Sequence, residues 1–328
     1  MKLKGEKILV TGGAGFIGSH LCDRFVALGA EVVCLDNLST GSIDNIAHLM
    51  DHPQFTFIQG DIRDRDVCDQ AIAGCSMASH QAALGSVPRS IAHPQDTMSV
   101  NVQGFVNICM AGVAAQIKKL VYASSSSIYG DAPELPKTES VTGRALSPYA
   151  LSKQVNESFA EQCRTLYGLD AIGLRYFNVF GPRQSPQGAY AAVIPCFIKA
   201  AAAANHLVIN GEGTNTRDFT YIDNIVALNV LALMAKDDLP HHLFNGAAGG
   251  QISIRGLAEM VVAEFNVSSE QSTSSSVIYG PTRPGDIPHS FADISRSTAQ
   301  LGYVPLVCFE QGLRATINYF QSQHPAHV

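Results

Sequence analysis

The chain has 328 residues, of which 46% are hydrophobic and 15% charged, and its formal net charge is -6 at pH 7. This composition is typical of a globular protein with a sizeable core, and the length favours two lobes over one large domain. The acidic balance disfavours nucleic acid or an anionic membrane surface as the main partner. An anionic ligand would therefore have to be held by local groups.

We find neither a signal peptide nor a membrane-spanning run in the sequence, and we expect a cytoplasmic protein. The eight cysteines show no C-x-x-C pairing and no histidines at zinc-finger spacing. They are predicted to be reduced, mostly buried thiols, with no metal site and no disulfide framework.

Apolar runs alternate with helical patterns through the first half of the chain. The predicted strands are 8–11, 31–36, 56–59, 77–81, 120–124 and 171–175, and the predicted helices are 17–28, 65–72, 96–115 and 148–166. This alternation predicts an α/β fold with a doubly wound parallel sheet. The second half is less regular, with loops rich in proline and glycine, and favours a smaller lobe.

The stretch ILVTGGAGFIGSHL places Gly12, Gly15 and Gly18 between the first strand and the first helix. Glycines at this spacing let the backbone approach a pyrophosphate, which binds the free N–H groups of the helix N-terminus. The next strand ends in Asp36, whose carboxylate can bind an adenosine ribose and would repel a 2′-phosphate. This Rossmann pattern predicts NAD rather than NADP.

Further polar residues follow the next two strands of the predicted sheet. In NLSTG, Asn37, Ser39 and Thr40 would lie at the ribose and phosphate edge. In GDIRD, Asp61 and Ile62 follow the third strand, where an adenine amino group could be contacted. For Asp61 a solvated turn residue is an equally simple interpretation.

Four serines, 124–127, lie at the end of the fifth predicted strand, where ligands of open α/β sheets bind. Twenty residues later, SPYALSK places Tyr149 one helical turn before Lys153. Alone, this could be a surface pair beside a core-facing stripe of Leu151, Val155 and Phe159, with Asn156 and Glu157 on the helix surface. A phenol acting as base at pH 7 needs its pKa lowered by about three units, roughly 4 kcal/mol.

With the glycine loop, the serine run, SPYALSK and LRYFNVFGPR, the whole chain resembles the extended short-chain dehydrogenase/reductase family, in its nucleotide-sugar branch. The resemblance implies that Tyr149 is the catalytic acid/base and that Lys153 binds the nicotinamide ribose and lowers the phenol's pKa. It implies that Ser125 and Ser126 assist. The residues implied to bind NAD are Gly12, Gly15, Phe16, Ile17, Asp36, Asn37, Ser39, Thr40, Gly41, Asp61, Ile62, Gln81, Ala82, Ala83, Asn101, Tyr149, Lys153 and Tyr176.

Within this family, 4,6-dehydratases carry Thr-Asp-Glu where this chain has Ser125, Ser126 and Ser127. The resemblance therefore favours a UDP-sugar 4-epimerase. In the implied mechanism Tyr149 takes the O4 proton while hydride moves from C4 to NAD. The 4-keto sugar then turns, and hydride returns to its other face. Family members are commonly homodimers, through a helix pair that would include 148–166.

The second half of the chain is expected to hold the nucleotide sugar. Arg217 and Arg283 would bind the diphosphate, Asn210 the uracil and Asp286 a ribose. Ser290 stands where galactose-type epimerases have a tyrosine, which leaves space for an N-acetyl group. The resemblance therefore implies a UDP-N-acetylglucosamine 4-epimerase. The remaining implied substrate residues are Gly85, Ser86, Ser125, Ser126, Tyr149, Asn178, Gln184, Ala192 and Val193.

Other interpretations remain open at this point. The sugar could be UDP-glucose/galactose or a UDP-(N-acetyl)uronic acid, and a dehydrogenase or decarboxylase would release NADH. A non-catalytic NAD-sensing protein on the same fold is a further alternative. The expected organisation is an NAD-binding Rossmann domain at 1–178, which a segment at about 218–247 rejoins. A nucleotide-sugar-binding lobe, mainly 179–328, completes the chain.

Overall fold

The structure, a computed structural model, describes residues 3–187, 191–268, 275–281 and 288–323. Its centre is a seven-stranded, entirely parallel sheet with the strand order β11-β6-β5-β4-β1-β2-β3. These strands are β1 (Lys7–Thr11), β2 (Glu31–Asp36), β3 (Phe55–Gln59), β4 (Met77–His80), β5 (Lys119–Ser125), β6 (Ala171–Tyr176) and β11 (Leu243–Gly246). The predicted doubly wound α/β fold is confirmed, and the predicted strand bounds agree within one residue.

Helices cover both faces of this sheet and build most of the second lobe. They are α1 (Phe16–Ala27), α2 (Arg65–Ile72), α3 (Val87–Ala92), α4 (Pro94–Met98), α5 (Gly104–Ala114), α6 (Pro148–Tyr167), α7 (Val193–Ala202), α8 (Ile222–Leu233), α9 (Ile254–Ser268), α10 (Ser295–Leu301) and α11 (Phe309–Gln323). A π-helical turn at Ser99–Gln103 joins α4 to α5, and 3-10 turns lie at Ile43–Asn45, Ala47–Leu49 and Ser126–Tyr129.

Three small sheets complete the fold. The strands β7 (Val179–Phe180) and β10 (Thr220–Tyr221) pair in parallel, as do β8 (Leu207–Asn210) and β13 (Val277–Gly280). The strand β9 (Thr216–Arg217) lies between β12 (Ile252–Ser253), which is antiparallel to it, and β14 (His289–Ser290), which is parallel. The strand β11, late in the chain, extends the large sheet beside β6.

The hydrophobic core consists of two main clusters on opposite faces of the large sheet. Alternate residues of β1 divide between them: Ile8 and Val10 pack on the side of α1 and α8, while Leu9 packs on the side of α5 and α6. None of the eight cysteines is in a disulfide; six are buried, whereas Cys196 and Cys308 are exposed. Within the described ranges, no helix combines the length and the apolarity needed to cross a membrane.

The prediction for the buried face of α6 is wrong at Leu151, whereas Phe159 does pack against the core. Leu151 is 46% exposed, and Val155 and Phe159 are only half-buried. The helix instead buries Ser152, Lys153, Asn156, Ala160 and Cys163. Polar side chains can occupy this face because Lys153 and Ser152 have hydrogen-bond partners on β5 and on the π-helical turn. Apolar spacing alone cannot show this, because it assumes that polar groups face water.

Candidate active site

The glycine loop between β1 and α1 is packed too closely for side chains. Gly12 has a φ of +67°, and a Cβ there would lie 2.7 Å from the backbone nitrogen of Ala82. A Cβ on Gly18 would lie 2.1 Å from the Gly12 carbonyl oxygen. Gly15 is the N-cap of α1 and provides no side-chain cap. The first N–H groups of α1 are therefore available to an anion in this cradle.

Two carboxylates lie at the far end of the same cleft. Asp36, 8% exposed, accepts hydrogen bonds from the backbone N–H groups of Ala14 at 3.0 Å and Leu38 at 2.8 Å. Asp61 accepts the Asn37 amide at 2.9 Å and two bonds from Arg63 at 3.0 and 2.7 Å. The Arg63 guanidinium holds the pKa of Asp61 at about 2. Both carboxylates are thus fixed by hydrogen bonds, and Asp61 is ionised at neutral pH.

The cradle and the carboxylates belong to one cleft that fits a dinucleotide. Most residues expected to bind NAD line it, namely Gly12, Gly15, Phe16, Ile17, Asp36, Asn37, Ser39, Thr40, Asp61, Ile62, Gln81, Ala82 and Ala83. Gly41 packs on the Ala14 backbone outside this lining. Asn101 turns away from the cleft, because its amide binds the Leu84 backbone and the Ser152 hydroxyl. It fixes the loop that forms the cleft wall.

The cleft continues into a second cavity where the predicted reacting groups converge. Tyr149, Lys153, Ser125, Ser126 and Tyr176 all line this cavity. The Ser125 side chain lies next to the Tyr149 phenol in this cavity. The Lys153 ammonium lies 6.0 Å from the centre of the Tyr149 ring and donates to the Ala123 carbonyl at 2.7 Å. A phenol, an ammonium and a hydroxyl therefore meet at the end of β5.

Burial dominates the titration of this pair. It raises the pKa of Tyr149, and the hydrogen bond with Ser125 opposes the increase. It lowers the pKa of Lys153 to about 8, while the charge of Glu157 opposes the decrease. The protein alone does not make the phenol basic.

The loops after β6 and before α7 supply the other wall of this cavity. Asn178, Gln184 and Ala192 line it, as do Gly85 and Ser86 opposite them. Asn178 has a φ of +34° and donates to the Asp218 carbonyl at 3.0 Å. Gln184 donates to the Val179 carbonyl at 3.0 Å, and its buried side-chain oxygen has no hydrogen-bond partner among the described residues. That oxygen is available to a ligand donor.

Several predicted substrate residues lie elsewhere in the second lobe. Val193 is the first residue of α7, next to the cavity wall. Asn210 ends β8, and Ser290 pairs with Arg217 between β14 and β9. Arg217 donates to the carbonyls of Thr216 and Pro288. None of these four is among the described residues that line the cavity. Arg283 and Asp286 lie outside the described residues.

Some polar residues around the site were not predicted. Glu157 is not on the helix surface, since its carboxylate is bound by Ser124 and Arg175 in the interior. Asn156 is also buried, at 1% exposure. Asn229, from α8, donates to the Tyr176 hydroxyl at 2.8 Å and accepts from Gln81 at 3.3 Å. The sequence did contain one signal for Glu157, namely its position one helical turn after Lys153.

The fold and this site together define an enzyme of the extended short-chain dehydrogenase/reductase class, with a dinucleotide cleft beside a tyrosine–lysine pair. The chain belongs to the NAD dependent epimerase/dehydratase family, whose model matches residues 8–246. A putative UDP-glucose 4-epimerase from Methanocaldococcus jannaschii is 34% identical over 97% of this chain and 99% of its own length. NAD is accordingly the cofactor of this protein.

Two solved structures are similar over almost the whole chain. A UDP-N-acetylglucosamine 4-epimerase from Methanobrevibacter ruminantium, in complex with UDP-N-acetylmuramic acid, is 37% identical with a TM-score of 0.90, covering 98% of this chain and 100% of its own. A UDP-glucuronic acid 4-epimerase from Bacillus cereus, in complex with UDP-glucuronic acid and NAD, is 30% identical with a TM-score of 0.88. That comparison covers 97% of this chain and 99% of the other.

Proposed function

We propose that this protein is a UDP-N-acetylglucosamine 4-epimerase, which reversibly inverts C4 of the sugar through a 4-keto intermediate with tightly bound NAD. In coarser terms, it is an NAD-dependent UDP-sugar 4-epimerase. The observation that carries the proposal is the convergence of Tyr149, Lys153 and Ser125 in a cavity continuous with the dinucleotide cleft. The two cavities share Phe16, Ile17, Gln81 and other lining residues.

Bound NAD supplies a hydride acceptor and donor for C4 of the sugar. In the proposed chemistry Tyr149 takes the proton from O4 and later returns it. Because the hydride would also return to C4, the sugar is neither oxidised nor reduced overall. Ser125 lies beside the phenol. Lys153 provides a positive charge beside the phenol, and a nearby opposite charge favours the phenolate.

The preference for an N-acetylated sugar rests on the small residues around the cavity. A Cβ added to Gly85 would meet no atom within 4 Å, so the wall is open there. Ser126 and Ala192 are also small and line the same cavity. Ser290 lies on β14, outside this lining, and we propose that a serine in place of a tyrosine there leaves volume for an N-acetyl group. The neighbour that binds UDP-N-acetylmuramic acid, whose sugar also carries an N-acetyl group, supports the same preference.

The second lobe is proposed to hold the nucleotide end of the substrate. In this arrangement 1–178 and about 218–247 bind NAD, and the rest of 179–328 binds the UDP-sugar. Asn178, Gln184, Ala192 and Val193 would surround the sugar and its link to the diphosphate. Asn210 and Arg217 are proposed to reach the nucleotide, together with Arg283 and Asp286. Arginines suit this task because the guanidinium binds phosphate oxygens in a bidentate manner.

Rates on purified protein test the proposal. We expect kcat/KM for UDP-N-acetylglucosamine to exceed that for UDP-glucose and UDP-glucuronic acid, with no added NAD. Faster turnover of UDP-glucose would instead favour the glucose/galactose epimerase, and faster turnover of an acidic sugar the uronate epimerase. A net change in nicotinamide absorbance on adding sugar would indicate a dehydrogenase or decarboxylase. NAD binding without turnover of any sugar would indicate an NAD-sensing protein.

We also propose a homodimer in which α6 lies at the interface. Its outward face carries Leu151, 46% exposed, and the preceding loop carries Leu146, 49% exposed. Together with Pro94 and Met98 they line a surface groove. We expect Leu151→Asp to convert a dimer into a monomer in light scattering, whereas a wild-type monomer would contradict the proposal. The cytoplasmic location and the lack of nucleic-acid or membrane partners stay predictions.

A further inference from the structure

Three successive residues at the end of β5 are each bound by a different turn of α6. Lys153 donates to the carbonyl of Ala123 at 2.7 Å. The hydroxyl of Ser124 donates to the Glu157 carboxylate at 2.6 Å. Ser125, the next residue along, lies next to the Tyr149 phenol in the cavity. The position of Ser125 beside the Tyr149 phenol is thus coupled to the contacts that Ala123 and Ser124 make with α6.

The Glu157 carboxylate is itself held from β6. Arg175 donates to both of its oxygens at 2.8 Å, and the two side chains are only 3% and 9% exposed. Ser124 and Arg175 are also partners in the register of β5 and β6. Arg175 further donates to the Glu139 carbonyl at 3.1 Å, and its guanidinium lies 5.0 Å from the centre of the Tyr129 ring. Such a bidentate, buried pair has a fixed geometry.

We propose that Glu157 is a positioning residue of the epimerase: its carboxylate holds the end of β5 against α6 and supplies the negative charge that faces the Lys153 ammonium. This inference rests on the proposed function, in which Tyr149 and Lys153 form the acid/base machinery. Glu157 touches neither of the reacting atoms in this scheme. It acts through Ser124 on the position of Ser125, and through its charge on Lys153.

The other titratable groups near Lys153 do not supply this negative charge. His80, from β4, is neutral at pH 7, because burial and the charge of Lys153 lower its pKa to about 3. Burial keeps the nearby tyrosines protonated, since it raises the pKa of each. Among the described residues, Glu157 is the carboxylate whose negative charge favours the protonated form of Lys153. The remaining titratable groups on elements packed against α6 are Arg89 (α3), Asp96 (α4), Cys109 (α5), Lys119 (β5) and Arg175 (β6).

The test is the pH profile of kcat for the NAD-loaded enzyme carrying Glu157→Gln. Removing the negative charge near the buried Lys153 should lower the pKa of its ammonium group. The alkaline limb of the kcat–pH profile is therefore expected to move down by about one pH unit. Because the protonated fraction of Lys153, whose pKa is about 8, would fall from about one half to about one tenth, we expect kcat at pH 8 to fall roughly fivefold, with KM for the UDP-sugar unchanged. The matched control is Glu161→Gln, one turn further along α6, because Glu161 is 52% exposed in a pair with Arg164. The control should keep the wild-type profile.

Two more variants separate charge from packing. Glu157→Asp keeps the charge, so its alkaline limb is expected at the wild-type pH although its kcat is reduced. Ser124→Ala removes one hydrogen bond and leaves the ion pair, so kcat should fall several-fold with the limb unmoved. An unmoved limb in Glu157→Gln, a shifted limb in Glu157→Asp, or a wild-type kcat in Ser124→Ala would each overturn the inference. If Glu157→Gln does not fold, the other two variants decide.

The same experiments distinguish this inference from the proposed function. If the wild-type protein turns over no UDP-sugar, the proposed function fails before any variant is measured. If the wild type is active on UDP-glucose but not on UDP-N-acetylglucosamine, the sugar assignment fails. The pH profiles can then be recorded with UDP-glucose, and the inference about Glu157 is still tested.

Discussion

Replacing Tyr149 by phenylalanine removes one oxygen from the site and little else. The ring remains, and Ser125 keeps its hydrogen bonds with Ser127, from the backbone N–H at 3.1 Å and from the hydroxyl at 2.9 Å. The cost to stability is therefore that of one hydrogen bond, about 1 kcal/mol. Losing a general acid/base lowers the rate by about 10²–10⁴-fold, or roughly 3–5 kcal/mol of activation free energy. Activity should thus fall far more than stability.

The assay is NMR of UDP-N-acetylglucosamine incubated with the Tyr149→Phe variant, together with its thermal midpoint and NAD content. The matched control is Tyr167→Phe, since Tyr167 lies at the other end of α6 and is 52% exposed. We expect full activity in the control and retained NAD in both variants. Turnover within about tenfold of wild type in Tyr149→Phe would refute the role of the phenol.

Three further predictions concern the cofactor cradle, the sugar and the second lobe. Gly12→Ala should be purified without NAD, because its Cβ would contact Ala82, whereas Gly5→Ala, which has a similar φ but open space, should retain it; equal NAD absorbance in both would contradict this. Ser290→Tyr should lower kcat/KM for UDP-N-acetylglucosamine relative to UDP-glucose at least about tenfold, and an unchanged ratio would disprove the role of that position. Burial raises the pKa of Asp218 to about 6, so the folded state holds a proton that the unfolded chain has lost between about pH 4 and 6. The Asp218 carboxyl therefore makes the folded state less stable as pH rises through that window. Asp218→Asn should remove this contribution to the pH dependence of Tm. An unchanged slope of Tm against pH in this variant would contradict the prediction.

The large sheet could be predicted from the sequence because its strands are short apolar runs bounded by glycine and polar residues. The glycine loop was equally predictable, because a position with no room for a Cβ has to be glycine in the sequence. Gly12 approaches Ala82 so closely that it is such a position. The helix at 96–115 was predicted as one element, and the structure inserts a π-helical turn around Asn101. That turn depends on contacts with Leu84 and Ser152, which lie far away in the sequence.

The buried polar groups around the site were the part that local patterns could not provide. On α6, the apolar spacing predicted that Leu151 faces the core and that Glu157 lies on the helix surface, and both predictions are wrong. The helix packs its polar side inward because Arg175 and Ser124, on two neighbouring strands, bind the Glu157 carboxylate. Pairing between distant strands decides this burial, so it becomes visible only when the chain is folded.

Incubation of UDP-N-acetylglucosamine with the purified protein, without added cofactor, tests the central claim most directly. We expect NMR to show the galacto epimer accumulating to equilibrium, with kcat/KM above that for UDP-glucose and no net change in nicotinamide absorbance. Absence of the C4 epimer from a protein that carries NAD, or faster turnover of UDP-glucose, would contradict it.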